Sequence, residues 1–70
     1  MPPEDGAVYV EFVVQGSVVK VTAVDSRTGT EASVMGPAGA SRTALSDAAL
    51  RKLNYVLRKK NGGARPPPST

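Results

Sequence analysis

Basic side chains recur at helical spacing near the end of the chain, and this pattern is typical of a surface that binds a polyanion. Arg51 and Arg58 are seven residues apart, as are Lys52 and Lys59, and Tyr55 lies between them. Seven residues make about two helical turns, so each pair falls on one side of a helix. Cationic side chains contact phosphates, and an aromatic ring stacks on a base. These five residues are candidate nucleic-acid contacts, although a basic helix end is also an ordinary solvated surface.

A second set of residues predicts a protein interface. If the first half of the chain forms a sheet, alternation places five apolar or aromatic side chains on the face that also carries charges. These residues are Tyr9, Val13, Val18, Val24 and Met35. Contiguous exposed apolar surface marks many interfaces, whereas scattered valines on a β-rich surface are also common. The set is therefore a candidate contact surface for a partner protein or for a second copy of the chain.

Catalysis has little support in the residue types present. The chain contains no histidine and no cysteine, which removes the commonest general base, the usual zinc ligands and a thiolate nucleophile. Asp25 and Glu31 approach each other across a predicted turn, where we expect both to be solvated. A solvated carboxylate is a poor acid or base at neutral pH. The sequence therefore predicts no enzyme, no catalytic residue, no cofactor and no metal site.

An anion site is a further alternative. The segment Gly36–Ser41 leads from a predicted strand into the start of a predicted helix, whose free N–H groups attract anions. Arg42 and Thr43 follow directly. The segment matches no phosphate-binding fingerprint, and the preceding strand is not part of a βαβ unit. A simple connecting loop, in which the glycines permit the crossover, explains the same residues.

The elements that would position these residues begin with two strands. Residues 7–14 and 18–25 are rich in β-branched side chains, and the pair Gly16-Ser17 between them suits a two-residue hairpin turn. A second turn over Asp25–Thr30, with Gly29 as its left-handed residue, leads to a third strand at 30–35. The predicted neighbours are Val14 and Val19, Phe12 and Val21, Val10 and Ala23, Ala23 and Ala32, and Val21 and Val34. All of these side chains, together with Val8, share one apolar face, and the first and third strands are edges that could accept another strand.

A single helix follows the sheet. Gly36 to Ala40 is expected to end the third strand, and the Ser41 hydroxyl is a candidate N-cap. From 42 to 60 the apolar residues recur at helical spacing. The stripe comprises Leu45, Ala49, Leu50, Leu53, Val56 and Leu57. The helix should lie across the apolar sheet face, which gives a two-layer α+β fold: a three-stranded antiparallel meander with one C-terminal helix, in the order β-β-β-α.

Length and charge bound the remaining possibilities. The chain has 70 residues, and we predict one domain at 7–60 between disordered ends at 1–6 and 61–70. Residues 1–41 contain two basic and five acidic side chains, whereas residues 42–70 contain seven basic and one acidic. No apolar run approaches the roughly 18 residues that cross a bilayer. We therefore expect a cytoplasmic protein with no membrane partner.

The segment from Tyr9 to Lys60 resembles a known family. The residues that carry the resemblance are Tyr9–Val13, Val19–Asp25, Thr28–Glu31, Gly36–Ala38 and Ala49–Leu57. They are similar to a family of short alphaproteobacterial proteins classed as a domain of unknown function. The resemblance implies the same small fold and brings no catalytic residues. The name serine hydroxymethyltransferase, attached to some members, does not fit this chain, because a pyridoxal-phosphate enzyme needs a large fold.

The sequence thus predicts a small α+β domain that acts as a protein-interaction or self-association module through its open sheet face. The alternative is a nucleic-acid-binding protein that uses its basic C-terminal helix.

Overall fold

The structure, a computed structural model, describes residues 7–61. Three strands precede one helix: β1 (Val8–Gln15), β2 (Val18–Asp25), β3 (Glu31–Pro37) and α1 (Arg42–Asn61). The strands form one antiparallel sheet in the order β1-β2-β3, and α1 packs on one face of it. This arrangement confirms the predicted two-layer α+β fold. The predicted disordered ends lie outside the described residues, except that Asn61 still belongs to α1.

The predicted strand pairing is confirmed. Val14 pairs with Val19 across the first hairpin, and Ala23 pairs with Ala32 across the second. Both turns contain a glycine with positive φ, Gly16 at 64° and Gly29 at 76°, the left-handed region that glycine enters without steric cost. The turn chemistry and the alternation of apolar residues therefore select the same register.

The end of β3 differs from the prediction. Gly36 and Pro37 were expected to break the sheet, yet β3 continues through both. Proline is tolerated there because β3 is an edge strand, and the neighbouring Ala38 N–H is the one that donates to the Ser17 carbonyl. A Cβ on Gly36 would lie 2.8 Å from Leu45 Cδ2. The glycine therefore permits α1 to approach β3 closely.

The core lies between α1 and the two strands that follow β1. Its buried residues are Val19, Val21, Ala23, Ala32, Ala49 and Leu53. Leu53 is the largest fully buried side chain, and the small Ala49 allows the helix to lie near the sheet. The helix starts as predicted, because the Ser41 hydroxyl accepts a hydrogen bond of 3.1 Å from the Ala44 N–H.

The helix covers only part of the predicted apolar face. It packs on β2 and β3, and it reaches β1 mainly at its first residue, where the Arg42 guanidinium lies 5.0 Å from the centre of the Phe12 ring. A helix is about 10 Å wide and strands are about 4.8 Å apart, so one helix covers roughly two strands. The short connection after β3 places α1 over that strand and its neighbour. Among residues 7–61, the helix side of β1 therefore stays largely uncovered, apart from Phe12, over which Arg42 lies.

No helix among residues 7–61 combines the length and the apolarity that a bilayer crossing requires.

Candidate functional site

The predicted protein interface lies on the sheet face away from α1, which we call the open face. Tyr9, Val13 and Met35 are exposed there, whereas Val18 and Val24 are half-buried. All five side chains share this face in the observed register. The structure therefore brings the predicted residues onto one surface.

A polar row divides that surface. Glu11, Thr22 and Ser33 are direct neighbours across the three strands, and the Thr22 and Ser33 hydroxyls are 2.8 Å apart in a hydrogen bond. This row separates Tyr9 from Val13, and Lys20 stands between Val13 and Met35 in the next row. The open face is consequently a set of separate apolar spots, which is weaker support for docking than a contiguous patch.

The helix side of β1 carries a more continuous apolar surface. Val8, Val10, Phe12 and Val14 follow each other along this side, and we call them the β1 apolar row. Val8 is 42% and Val14 is 54% exposed, while Val10 and Phe12 are half-buried against the core. The sequence places all four in the core. That expectation is wrong for the ends of the row, because α1 lies over β2 and β3.

Among the described residues, the same four positions also carry the main-chain groups of β1 that have no partner in the sheet. The Ser26 N–H donates to the Ala7 carbonyl at 3.1 Å, so the odd-numbered residues of β1 exchange hydrogen bonds with β2. The N–H and C=O groups of the even-numbered residues therefore point away from the sheet. An unpaired edge of this kind is a template for another strand.

The opposite edge of the sheet is partly closed by α1. Because Ala38 N–H donates to Ser17 on β2, the main-chain groups of Ser33 point outward from β3. The Lys52 ammonium donates a hydrogen bond of 2.8 Å to the Ser33 carbonyl. A charged side chain along an edge is a common protection against strand addition. The two edges of the sheet therefore differ in their accessibility.

The basic face of α1 keeps most of its predicted members. Arg51, Arg58 and Tyr55 are exposed, Tyr55 at 56%. The Lys59 ammonium lies 5.6 Å from the centre of the Tyr55 ring, a cation–π contact. Lys52 is exposed as well, but it reaches the sheet edge and not the outer side of the helix. All five candidate nucleic-acid contacts are thus exposed on α1, and Lys52 in addition bonds the sheet edge.

The turn between β2 and β3 holds a polar cluster that the sequence reasoning missed. Asp25 was expected to be solvated, but it is only 8% exposed, and the Thr28 hydroxyl donates to its Oδ2 at 2.8 Å. The Thr28 hydroxyl also lies 2.7 Å from the hydroxyl of buried Thr30. The spacing Asp-x-x-Thr within a turn is the signal for such a cluster. Glu31 is exposed, so the two carboxylates do not share a site.

The loop into α1 has a structural explanation. Ser41 caps the helix, and the Arg42 guanidinium lies 5.0 Å from the centre of the Phe12 ring. Two of the three polar side chains of the suggested anion site, Ser41 and Arg42, therefore already have partners, and Thr43 is exposed. Across residues 7–61, no group of three or more acidic side chains is placed to hold a metal ion.

The fold and these surfaces define the chain as a small two-layer domain with an antiparallel three-stranded sheet and one covering helix. Residues 5–60 match the family described as Domain of unknown function (DUF6898), and the chain belongs to this family. This match confirms the predicted resemblance to a domain of unknown function. No curated protein and no solved structure matches the chain.

Proposed function

We propose that this protein is a non-enzymatic protein-interaction module that binds an extended segment of a partner by strand addition to β1. The observation that carries the proposal is the coincidence of two features on the same residues. The β1 apolar row supplies exposed apolar side chains, and its main-chain groups form the unpaired edge of the sheet. Strand addition uses both, since main-chain hydrogen bonds give affinity and alternate side chains give specificity.

The proposal moves the interaction site from the open face to the edge and helix side of β1. The open face offers apolar spots separated by the row of Glu11, Thr22 and Ser33. The helix side of β1 offers a strip that runs the length of the strand, is bounded by α1 and is crossed at Phe12 by the Arg42 guanidinium. An added strand would extend the sheet and bury its own apolar side chains beside Val10 and Phe12.

A short peptide of alternating threonine and valine, flanked by lysines, is a suitable probe. Titrated into the isotope-labelled chain, it is expected to shift the amide signals of Val8, Val10, Phe12 and Val14. The matched control is the same peptide with proline at the valine positions, which cannot donate hydrogen bonds. Signals that move only on β3, or equal shifts with both peptides, would contradict the proposal.

A proline substitution in β1 tests the same site by changing the protein and not the peptide. The Val10 N–H points away from β2, so Val10→Pro removes an outward donor and leaves the β1–β2 ladder intact. We expect peptide binding to weaken at least about ten-fold while the other strand signals keep their positions. Ser33→Pro, which removes the corresponding outward N–H on β3, is the control and is expected to leave binding unchanged.

Nucleic-acid binding is a second candidate, favoured by one specific observation. Arg51 and Arg58 are exposed two turns apart on α1, with the Tyr55 ring and Lys59 beside them. Phosphate contacts make such binding salt-dependent. In a fluorescence titration with a mixed-sequence oligonucleotide, Arg51→Ala with Arg58→Ala is expected to weaken binding at least about ten-fold.

The control for that titration removes the same charge from another surface. Lys20 and Arg27 are exposed on the sheet side and in the second turn, so Lys20→Ala with Arg27→Ala lowers net charge equally. We expect the control to lose less than about three-fold. Equal losses in both variants, or no binding by the unaltered protein at low salt, would reject a nucleic-acid site on α1.

A further inference from the structure

Resting on the proposed function of β1, we infer that its partner strand is the β1 of a second copy of this chain. The two strands would pair antiparallel about a two-fold axis through Phe12. The result is one continuous six-stranded sheet with β3 at each end. Such pairing is isologous, because both copies contribute the same β1 edge. It therefore gives a closed dimer with no β1 edge left to bind a third copy.

The hydrogen bonds between β1 and β2 restrict the registers in which two β1 strands can pair. Only the even-numbered residues of β1 direct their main-chain groups outward. In an antiparallel pair, residues that exchange hydrogen bonds lie directly opposite each other. Even-numbered residues must therefore face even-numbered residues of the second copy. The two-fold axis then passes through a residue position, and the central candidates are Val10, Glu11, Phe12 and Val13.

Overlap and charge select one of these positions. An axis through Val10 or Val13 leaves only five residues of the eight-residue strand paired, whereas an axis through Glu11 or Phe12 pairs seven. An axis through Glu11 places two carboxylates directly opposite each other, and like charges in that position destabilise a sheet. The axis through Phe12 keeps the longer overlap and places each Glu11 opposite a Val13.

The side chains of the chosen register are self-complementary. On the helix side, Phe12 faces Phe12 of the second copy, and Val10 faces Val14 of the second copy. Aromatic and β-branched pairs across strands stabilise a sheet. Val10, Phe12 and Val14 therefore cover their counterparts, whereas Val8 lies outside the seven paired residues. Because the two-fold axis is perpendicular to the sheet, the helix side of one copy continues into the helix side of the other. Both α1 helices therefore lie on the same side of the assembly.

The choice of a second copy over a foreign strand comes from β1 itself. An added strand must present apolar residues at alternate positions, contain no proline or interior glycine, and avoid a carboxylate opposite Glu11. The segment Val8–Gln15 meets all three conditions, with Glu11 as its single charged residue. The edge of β3 does not meet them, since it contains Pro37 and is crossed by Lys52.

The chain contains no cysteine, so single cysteine substitutions can locate the axis without background. Hydrogen-bonded antiparallel partners have Cα atoms about 5.5 Å apart, within the range that a disulfide spans. Only a residue on the axis faces its own copy. Mild oxidation is therefore expected to cross-link Phe12→Cys into a dimer, while Val10→Cys and Glu11→Cys remain largely uncrosslinked.

A mixed experiment guards against misfolding of Phe12→Cys, which loses a half-buried ring. Val10→Cys and Val14→Cys chains, mixed in equal amounts, are expected to form the heterodimer in preference to either homodimer. Preferred cross-linking at Glu11 or Val10 would overturn the register.

Light scattering separates the inference from the proposed function. We expect the unaltered chain to approach the mass of a dimer as its concentration rises to the millimolar range. A monomer at all concentrations overturns self-pairing. If the threonine–valine peptide still shifts β1 signals in that monomer, the strand-addition function stands without the second copy. If the peptide also fails, both proposals are wrong.

Discussion

The Lys52 ammonium hydrogen-bonds the Ser33 main-chain carbonyl at 2.8 Å, so a helix side chain occupies the outer edge of β3. Within residues 7–61 no hydrogen bond from α1 covers the edge of β1 in the same way, and α1 reaches β1 mainly through Arg42 over the Phe12 ring. The sheet therefore has one protected and one accessible edge. This difference, and not the composition of either strand alone, is the basis for placing the interaction site on β1.

Removal of the Lys52 cover is predicted to change assembly more than stability. Lys52→Met keeps most of the side-chain length and deletes the donor to Ser33. An exposed hydrogen bond contributes about 0.5–1.5 kcal/mol, so the free energy of unfolding is expected to fall by no more than about 1.5 kcal/mol. The uncovered β3 edge is expected to permit species larger than a dimer in light scattering. Lys59→Met, with the same charge change, is the control, and equal masses for the two variants would contradict the prediction.

A glycine is predicted to be required at position 36 because the Leu45 side chain leaves no room for a Cβ there. A Cβ on Gly36 would lie 2.8 Å from Leu45 Cδ2, whereas a Cβ on Gly39 meets nothing within 4 Å. Gly36→Val is expected to lower the free energy of unfolding by about 1–3 kcal/mol through overpacking. Gly39→Ala is expected to have almost no effect. In a Leu45→Ala background the cost of Gly36→Val is expected to shrink, and urea unfolding of the four proteins measures the coupling.

Leu53 is predicted to be the side chain on which the core depends most. It is 1% exposed, and its truncation leaves a cavity that costs about 2–5 kcal/mol. A core in a chain of this size supplies only about 3–5 kcal/mol of net stability, so Leu53→Ala is expected to be largely unfolded at 25 °C. Circular dichroism measures this. Tyr55→Ala, on the outer side of the same helix, is expected to remain folded; loss of structure in both variants would be inconsistent with the packing described.

The Asp25–Thr28 pair is predicted to stabilise the second turn. Asp25→Ala leaves the part-buried Thr28 hydroxyl without its carboxylate acceptor, at a cost of about 1–3 kcal/mol in the free energy of unfolding. Asp25→Asn retains an acceptor and is expected to lose less. In a Thr28→Val background, Asp25→Ala is expected to lower the free energy of unfolding by less than it does in the unaltered chain. Additive losses in the urea-measured double-mutant cycle would show that the two side chains do not interact.

Much of the sheet could be predicted from local sequence. The Gly16-Ser17 turn and the alternation of valines specify one register, and Ser41 marks the start of α1. These features depend on residues close together in the chain, where turn and capping chemistry are decisive. The polar row of Glu11, Thr22 and Ser33 also follows from that register once the three strands are aligned.

The placement of α1 could not be predicted in the same way. The stripe of leucines shows which side of the helix is buried, but not which two of three strands it covers. That choice depends on the length of the connection after Pro37 and on the close approach at Gly36. For the same reason the sequence did not indicate that Val8 and Val14 are exposed or that Lys52 reaches Ser33. The candidate site on β1 is thus a consequence of tertiary packing.

The limited coverage by α1 also determines how the domain opens. β2 and β3 are held by both the ladder and the helix, whereas β1 is held mainly by its ladder with β2. Local opening free energies are lowest where few buried contacts hold an element. β1 therefore detaches at lower cost than the rest of the domain. Its odd-numbered amides, which bond to β2, exchange with solvent earlier than the even-numbered amides of β3, which also bond to β2. The remaining β2-β3-α1 unit would then expose a second edge, which gives the chain a route to exchanging β1 between copies.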